Sequence, residues 1–136
     1  MRFFIDTHYV LWAAINSTRM EPWARRLIAD LNNEILVSAA SIYEISLKVR
    51  YGKLPQAVEF ESDLIVNIES RLGYTLLPLE PETMIRAARF EDMHADPFDP
   101  FDRMIAAHAI QNNLPLLSTD DKLDAFGVRR LKKPKR

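Results

Sequence analysis

Cysteine is absent from the 136 residues, which removes disulfides, thiolate zinc sites and cysteine nucleophiles together. Glycine is scarce: Gly52, Gly73 and Gly127 are the only three, and none belongs to a glycine-rich phosphate loop. The longest unbroken apolar run, Val10 to Ile15, is six residues, far below the ~20 needed to cross a bilayer. Asp6 interrupts the first hydrophobic stretch, so the N-terminus does not read as a secretory signal. These absences together lead to the expectation of a cytoplasmic protein with no membrane contact. The three histidines, His8, His94 and His108, have no spacing that sets two on adjacent helical turns, and they read as partner-bonded or surface residues. No local signal supports a Ser-His-Asp triad.

What is present is ordinary globular composition, 48% hydrophobic against 27% charged. A chain of this length can bury roughly two thirds of its unfolded surface without staples. The net charge of -1 conceals an asymmetry. Residues 129 to 136 hold six of the eighteen basic residues and no acid, leaving twelve basic against nineteen acidic in the body, a net of -7. The expected organisation is a single domain over 1–136, with residues 132–136 a basic C-terminal tail. Such a tail serves either as a solubilising end or as an electrostatic arm for phosphates.

Short apolar runs alternate with helical spacing. Phe3-Phe4-Ile5, Ile35-Leu36-Val37, Thr75-Leu76-Leu77, Leu116-Leu117 and Val128 to Leu131 read as strands. Between them, helical stripes run through Val10, Leu11, Ala14 and Ile15; through Ala24, Leu27, Ile28 and Leu31 after Pro22; and through Ile42, Ile45 and Val49. Phe60, Leu64, Ile65, Ile68 and Leu72 mark one helix ending at Gly73, and Met84, Ile85 and Ala88 another starting at Pro81. Glu91 to Asp102 is acidic and proline-broken, a loop leading into a helix with Ile105, Ala106, Ala109 and Ile110 on one stripe. Continuously apolar strands alternating with helices imply an α/β fold, a parallel sheet covered on both faces in three layers. Trp12 and Trp23 fit its core or an interface better than a stacking platform.

Four acids fall where such a sheet gathers its chemistry, outside the carboxyl ends of the strands. Asp6 follows the first strand and Asp120 the fourth, while Glu44 and Asp102 open apolar helix patterns. Each also has a structural reading. Asp6 and Asp120 suit helix N-caps, as do Ser118, Thr119 and Asp121 beside the latter. Ser41 and Glu44 have capping-box spacing. With Asp99 as N-cap and Pro100 first in the helix, Asp102 would sit third, where a carboxylate complements the helix dipole. The coincidence of four outweighs the single explanations. Converging carboxylates repel at low dielectric, and a bound cation or raised pKa values relieve them. With no Cys and no paired His, oxygen ligands favour Mg²⁺ or Mn²⁺ over zinc.

Four segments carry a family resemblance: Phe3-Phe4-Ile5-Asp6-Thr7-His8 with Leu11-Trp12; Val37-Ser38-Ala39-Ala40-Ser41-Ile42-Tyr43-Glu44-Ile45; Asp99-Pro100-Phe101-Asp102-Arg103-Met104-Ile105-Ala106-Ala107; and Leu116-Leu117-Ser118-Thr119-Asp120. In this order the sequence resembles PIN-domain ribonucleases, and more closely the VapC-like toxins of bacterial type II toxin-antitoxin systems. The resemblance implies a three-layer α/β/α PIN-like domain and metal-dependent endoribonuclease activity. It makes Asp6, Glu44, Asp102 and Asp120 the catalytic, metal-holding quartet, with Asp99 a secondary metal candidate. It also implies a homodimer and a cognate antitoxin lying across the active-site groove. The repeat of Asp-Pro-Phe from Asp96 is a departure from the family pattern, and Asp96 reads as a surface acid. Arg103, Lys48, Arg50 and Lys53 are the candidate RNA phosphate contacts, together with the basic tail.

Rival readings fit less well. A haloacid-dehalogenase-like phosphatase would need a second Asp two residues after Asp6, where His8 stands. A two-component receiver domain would want an acidic pair near the N-terminus and a lysine after a late strand. The main alternative is a catalytically silent PIN-like module that binds RNA or protein, against which stands the presence of all four acids.

Overall fold

The computed structural model describes residues 1–91 and 99–135. Strand β1 (Arg2–Ile5) leads through helices α1 (Thr7–Ala14) and α2 (Pro22–Ala29) to β2 (Glu34–Ser38). Helix α3 (Ala39–Arg50), a 3₁₀ turn at Pro55–Ala57 and the short helices α4 (Val58–Ser62) and α5 (Leu64–Val66) precede β3 (Thr75–Leu77). Helices α6 (Pro81–Arg89) and α7 (Pro100–Gln111) then lead to β4 (Leu116–Leu117) and a 3₁₀ helix over Asp121–Phe126. The sheet is wholly parallel in the order β3-β2-β1-β4. The chain therefore winds outward from β1 through β2 to β3, then returns to place β4 on the other side of β1. The direction reverses between β1 and β4, and a crevice forms there at the carboxyl ends of the strands.

Apolar alternation divides the core between the two faces of this sheet. Phe3, Ile5, Ile35, Val37 and Leu117 pack with Tyr9, Val10, Ala24, Ile45 and Ile68 on one side. Phe4, Leu36 and Leu116 pack with Ile105, Ala106, Ala109, Leu123 and Val128 on the other. Successive strand residues point to opposite faces, so an uninterrupted apolar run fills both cores and gives the expected three-layer α/β/α arrangement. Trp12 and Trp23 pack against the first core.

Several local expectations are corrected. The stripe from Phe60 to Leu72 is not one helix. Asp63 leaves helical geometry (φ -140°, ψ 55°), and the chain continues through α5 into a π-helical turn at Asn67–Arg71, closed by Leu72 N–H donating to the Asn67 carbonyl. Leu64 and Ile68 point inward while Ile65 is exposed. Gly73 does end the segment, at φ 77°. On α6 the buried residues are Thr83 and Ala87, and Met84 and Ile85 face outward. Val128 to Leu131 is not a full strand: a two-residue β4 offers it only the single parallel bridge Leu116 to Arg130. The loop reading of Glu91 to Asp102, with His94 and Asp96, lies mostly outside the described residues.

Candidate metal centre

Asp6 is the first residue beyond β1, at the lip of the crevice, and its backbone N–H donates to the Leu117 carbonyl of β4 at 3.1 Å. It caps α1, its Oδ1 accepting from Tyr9 N–H at 3.1 Å. The side chain is buried, and burial raises its pKa. Bonds from the Ser118 hydroxyl and Tyr9 N–H and the nearby His8 pull it down again, while Glu44 adds to the rise. Asp120 lies across the crevice. It caps the 3₁₀ helix through Lys122 N–H at 3.0 Å, and its own N–H donates to Ser118 Oγ at 3.1 Å.

Glu44 and Asp102 arrive on helices. Helix α3 starts earlier than a capping box at Ser41 requires, because Ser38 is the N-cap and accepts from Ala40 N–H at 3.1 Å. Ser41 instead binds the Thr7 hydroxyl at 2.9 Å, tying α1 to α3. Glu44 is thus free of any capping role and lies 3% exposed in the second turn. Its Oε2 accepts from Lys48 Nζ at 2.6 Å, whereas Oε1 is buried with no hydrogen-bond partner among the described residues. The start of α7 is as the sequence suggests: Asp99 is the N-cap, accepting from Phe101 and Asp102 N–H, and Asp102 is the third helical residue.

Asp102 reports how closely the acids converge. Its carboxyl is pushed up to about 7, first by burial and then by Asp99, Glu44, Asp6 and Asp120. All five acids therefore share one electrostatic neighbourhood, although they come from four separate parts of the chain. Among the described residues, no three Asp, Glu or His side chains are already arranged to hold an ion. The unpartnered, buried Glu44 oxygen and the carboxylates grouped around Asp102 are oxygen donors of the kind a hard cation takes.

The candidate phosphate contacts divide. Lys48 is at the centre through its bond to Glu44. Arg50, the last residue of α3, about 9 Å along the helix from Glu44, and Lys53 beyond it are both exposed. Arg103 is corrected outright. It is only 5% exposed, donates to the carbonyls of Ala87 and Phe90 at 2.9 and 2.6 Å and to that of Ala88 at 3.3 Å, and lies over the rings of Phe90 and Phe126. Being one residue on from Asp102 turns it about 100° around the helix from that acid. Arg103 ties α7 to the end of α6.

Sequence reasoning missed the role of the Ser38 hydroxyl, while His108, read as partner-bonded or surface, is buried and partner-bonded. His108 Nδ1 meets Ser38 Oγ at 2.8 Å, and burial lowers its pKa against an opposing bond to Pro78. A neutral ring whose Nε2–H donates to that carbonyl leaves Nδ1 to accept from Ser38. The available signal was the position of Ser38 at the end of an apolar strand, where a buried hydroxyl needs a partner.

The sequence matches the PIN domain family model over residues 3–128. No curated protein matches it. Solved structures share the fold at low identity. VapBC2 from Rickettsia felis bound to a DNA fragment from its promoter matches with TM-score 0.69 and 18% identity, over 97% of this chain and 98% of that one. VapC20 from Mycobacterium tuberculosis, a sarcin-ricin loop cleaving toxin, matches with TM-score 0.67 and 16% identity, over 96% and 99%. FitAcB from Neisseria gonorrhoeae matches with TM-score 0.65 and 18% identity, over 97% of both chains. The matched residues run from the first strand past the last and contain every acid of the crevice: the chain belongs to the PIN domain family.

Proposed function

We propose that the protein is a metal-dependent endoribonuclease, the toxin of a toxin-antitoxin pair acting in the cytoplasm. Glu44 carries this reading: a buried carboxylate with one unpartnered oxygen, in the neighbourhood of an Asp102 whose pKa is raised by burial and then by its acidic neighbours. Such an arrangement is costly unless a cation completes it. Asp6, Glu44, Asp102 and Asp120 would hold Mg²⁺ or Mn²⁺, with Asp99 as a further candidate. When bound, a divalent ion supplies an activated water for attack on a phosphodiester and offsets charge on the phosphoryl oxygens.

The chain's own residues prepare that chemistry. Tyr9 N–H and the Ser118 hydroxyl orient Asp6 and favour its charged form. Asp99 fixes the first turn of α7, and so the direction of Asp102. Lys48 neutralises one oxygen of Glu44 while leaving the other for a ligand. Lys48, Arg50, Lys53 and the exposed lysines of the tail would draw the polyanionic substrate toward an otherwise acidic body. VapC20, of like fold, is a sarcin-ricin loop cleaving toxin, which supports RNA as substrate; the cognate antitoxin and the homodimer rest on the family resemblance.

The test is incubation of the purified protein with structured RNAs and Mg²⁺ or Mn²⁺, with EDTA and Asp102→Asn as controls. Metal-dependent cleavage confined to the wild type supports the reading. Cleavage that survives both controls overturns the metal-carboxylate mechanism, and binding without cleavage under every condition leaves the silent-module alternative in its place.

A further inference from the structure

The C-terminal segment is laid beside β4 by two backbone hydrogen bonds. Leu116 N–H donates to the Arg129 carbonyl and Leu131 N–H to the Leu116 carbonyl, both at 2.9 Å, which lays Arg130 beside β4. Its side chain is 12% exposed and reaches toward the carboxyl end of β4. Nη1 donates to the Ser118 carbonyl at 3.0 Å, while Nε and Nη2 grip the two oxygens of Asp124 at 2.8 and 3.0 Å. One planar guanidinium therefore holds the chain two residues before Asp120 and four residues after it. Ser118 is also the residue whose hydroxyl accepts from Asp120 N–H and bonds the Asp6 carboxylate. Arg130 thus braces the hub through which both strand-end acids are oriented.

We propose that Arg130 is a positioning residue for Asp120, acting through Ser118 and Asp124. The inference rests on the reading of Asp120 as a member of the metal centre. Arg130 touches no reacting group. Its work is geometric, because a rigid fork with several donors can fix a carbonyl and a carboxylate at once, and a lysine ammonium cannot reproduce that plane.

Two other roles make different forecasts. If Arg130 acted only through its charge, removing a cation near Asp120 would strengthen cation binding. If it only stabilised the fold, Arg130→Ala would lower the melting temperature yet leave cation affinity unchanged well below that temperature. Positioning forecasts a loss of affinity, since groups that orient metal ligands typically cost about tenfold or more in affinity when removed.

The experiment measures Mn²⁺ affinity of the full chain by calorimetry and paramagnetic resonance, at a temperature where circular dichroism shows every variant folded. Wild type, Asp120→Asn, Arg130→Ala, Arg130→Lys and Asp124→Asn are compared. The expected result is weakened binding by about tenfold in Arg130→Ala, partial loss in Asp124→Asn, and no full rescue in Arg130→Lys. Unchanged or tighter binding in Arg130→Ala overturns the proposal, provided that wild type binds and Asp120→Asn binds weakly. Absence of Mn²⁺ binding in the wild type, or full affinity in Asp120→Asn, overturns the site reading beneath it, and the proposal falls with that reading.

Discussion

Lys48 reaches back one turn along α3 and binds Glu44 through Oε2 alone, at 2.6 Å. The pair has unequal surroundings: the lysine side chain is 37% exposed and the glutamate side chain 4%. The lysine therefore behaves as a removable counter-ion and the glutamate as a fixed one.

Lys48→Met should leave Glu44 buried with no cation on either oxygen. Losing one partner of a buried pair costs several kcal/mol, and the partial exposure of Lys48 reduces that to about 1–2 kcal/mol. Urea denaturation in EDTA is the measurement. Adding Glu44→Gln should recover most of the loss, and additive losses in the double variant would show that the pair is not coupled.

Asp102 gives the metal-free protein a pH dependence of definite sign. Its pKa is raised from 3.8 to about 7, so between those values the folded chain keeps a proton that the unfolded chain has lost. Stability then falls as pH rises through that window. Asp102→Asn removes this term and should be more stable than wild type at pH 8 in EDTA, by on the order of 2 kcal/mol, but not at pH 3. Parallel stability curves for the two proteins across the window would sink the idea.

Arg103→Ala should damage the fold rather than RNA affinity. It strips donors from the carbonyls of Ala87, Ala88 and Phe90 and a cation from two aromatic rings. The expected cost is about 2–4 kcal/mol, read from thermal or urea unfolding. A near-normal melting temperature with a large drop in RNA affinity would contradict this placement.

Deleting Lys132 to Arg136 should weaken RNA binding and flatten its salt dependence, since each lost phosphate contact lowers the slope of log affinity against log salt by roughly one. Lys132, Lys133 and Lys135 are exposed, and the cut spares Arg130. Fluorescence anisotropy with a labelled RNA across a salt series checks it, and an unchanged slope would count against the tail as a phosphate arm.

Much of the architecture was readable because its signals are local. The runs at Phe3, Ile35 and Leu116 needed only apolar continuity, and the Asp99-Pro100 start of α7 needed only cap chemistry. The acids were legible for the same reason, each being adjacent to the end or start of an element. What escaped depends on tertiary orientation. Arg103 stands next to a site acid in sequence, but about 100° of helical rotation turns it toward the end of α6. Arg130 falls in the run that reads as a last strand, but its inward grip on Ser118 and Asp124 depends on the bridge to Leu116 and on tertiary packing. The break at Asp63 depends on backbone geometry that an uninterrupted apolar stripe does not reveal.

The strand order has a further effect, on when the crevice is complete. Asp6 follows the first strand and Asp120 the last, and β4 can pair with β1 only after everything between them has been made. A growing chain that has completed β1, β2 and β3 already has much of its core, yet possesses half a crevice. The crevice is thereby completed only when the last strand is in place, and a prematurely terminated product lacking β4 has one of its walls missing.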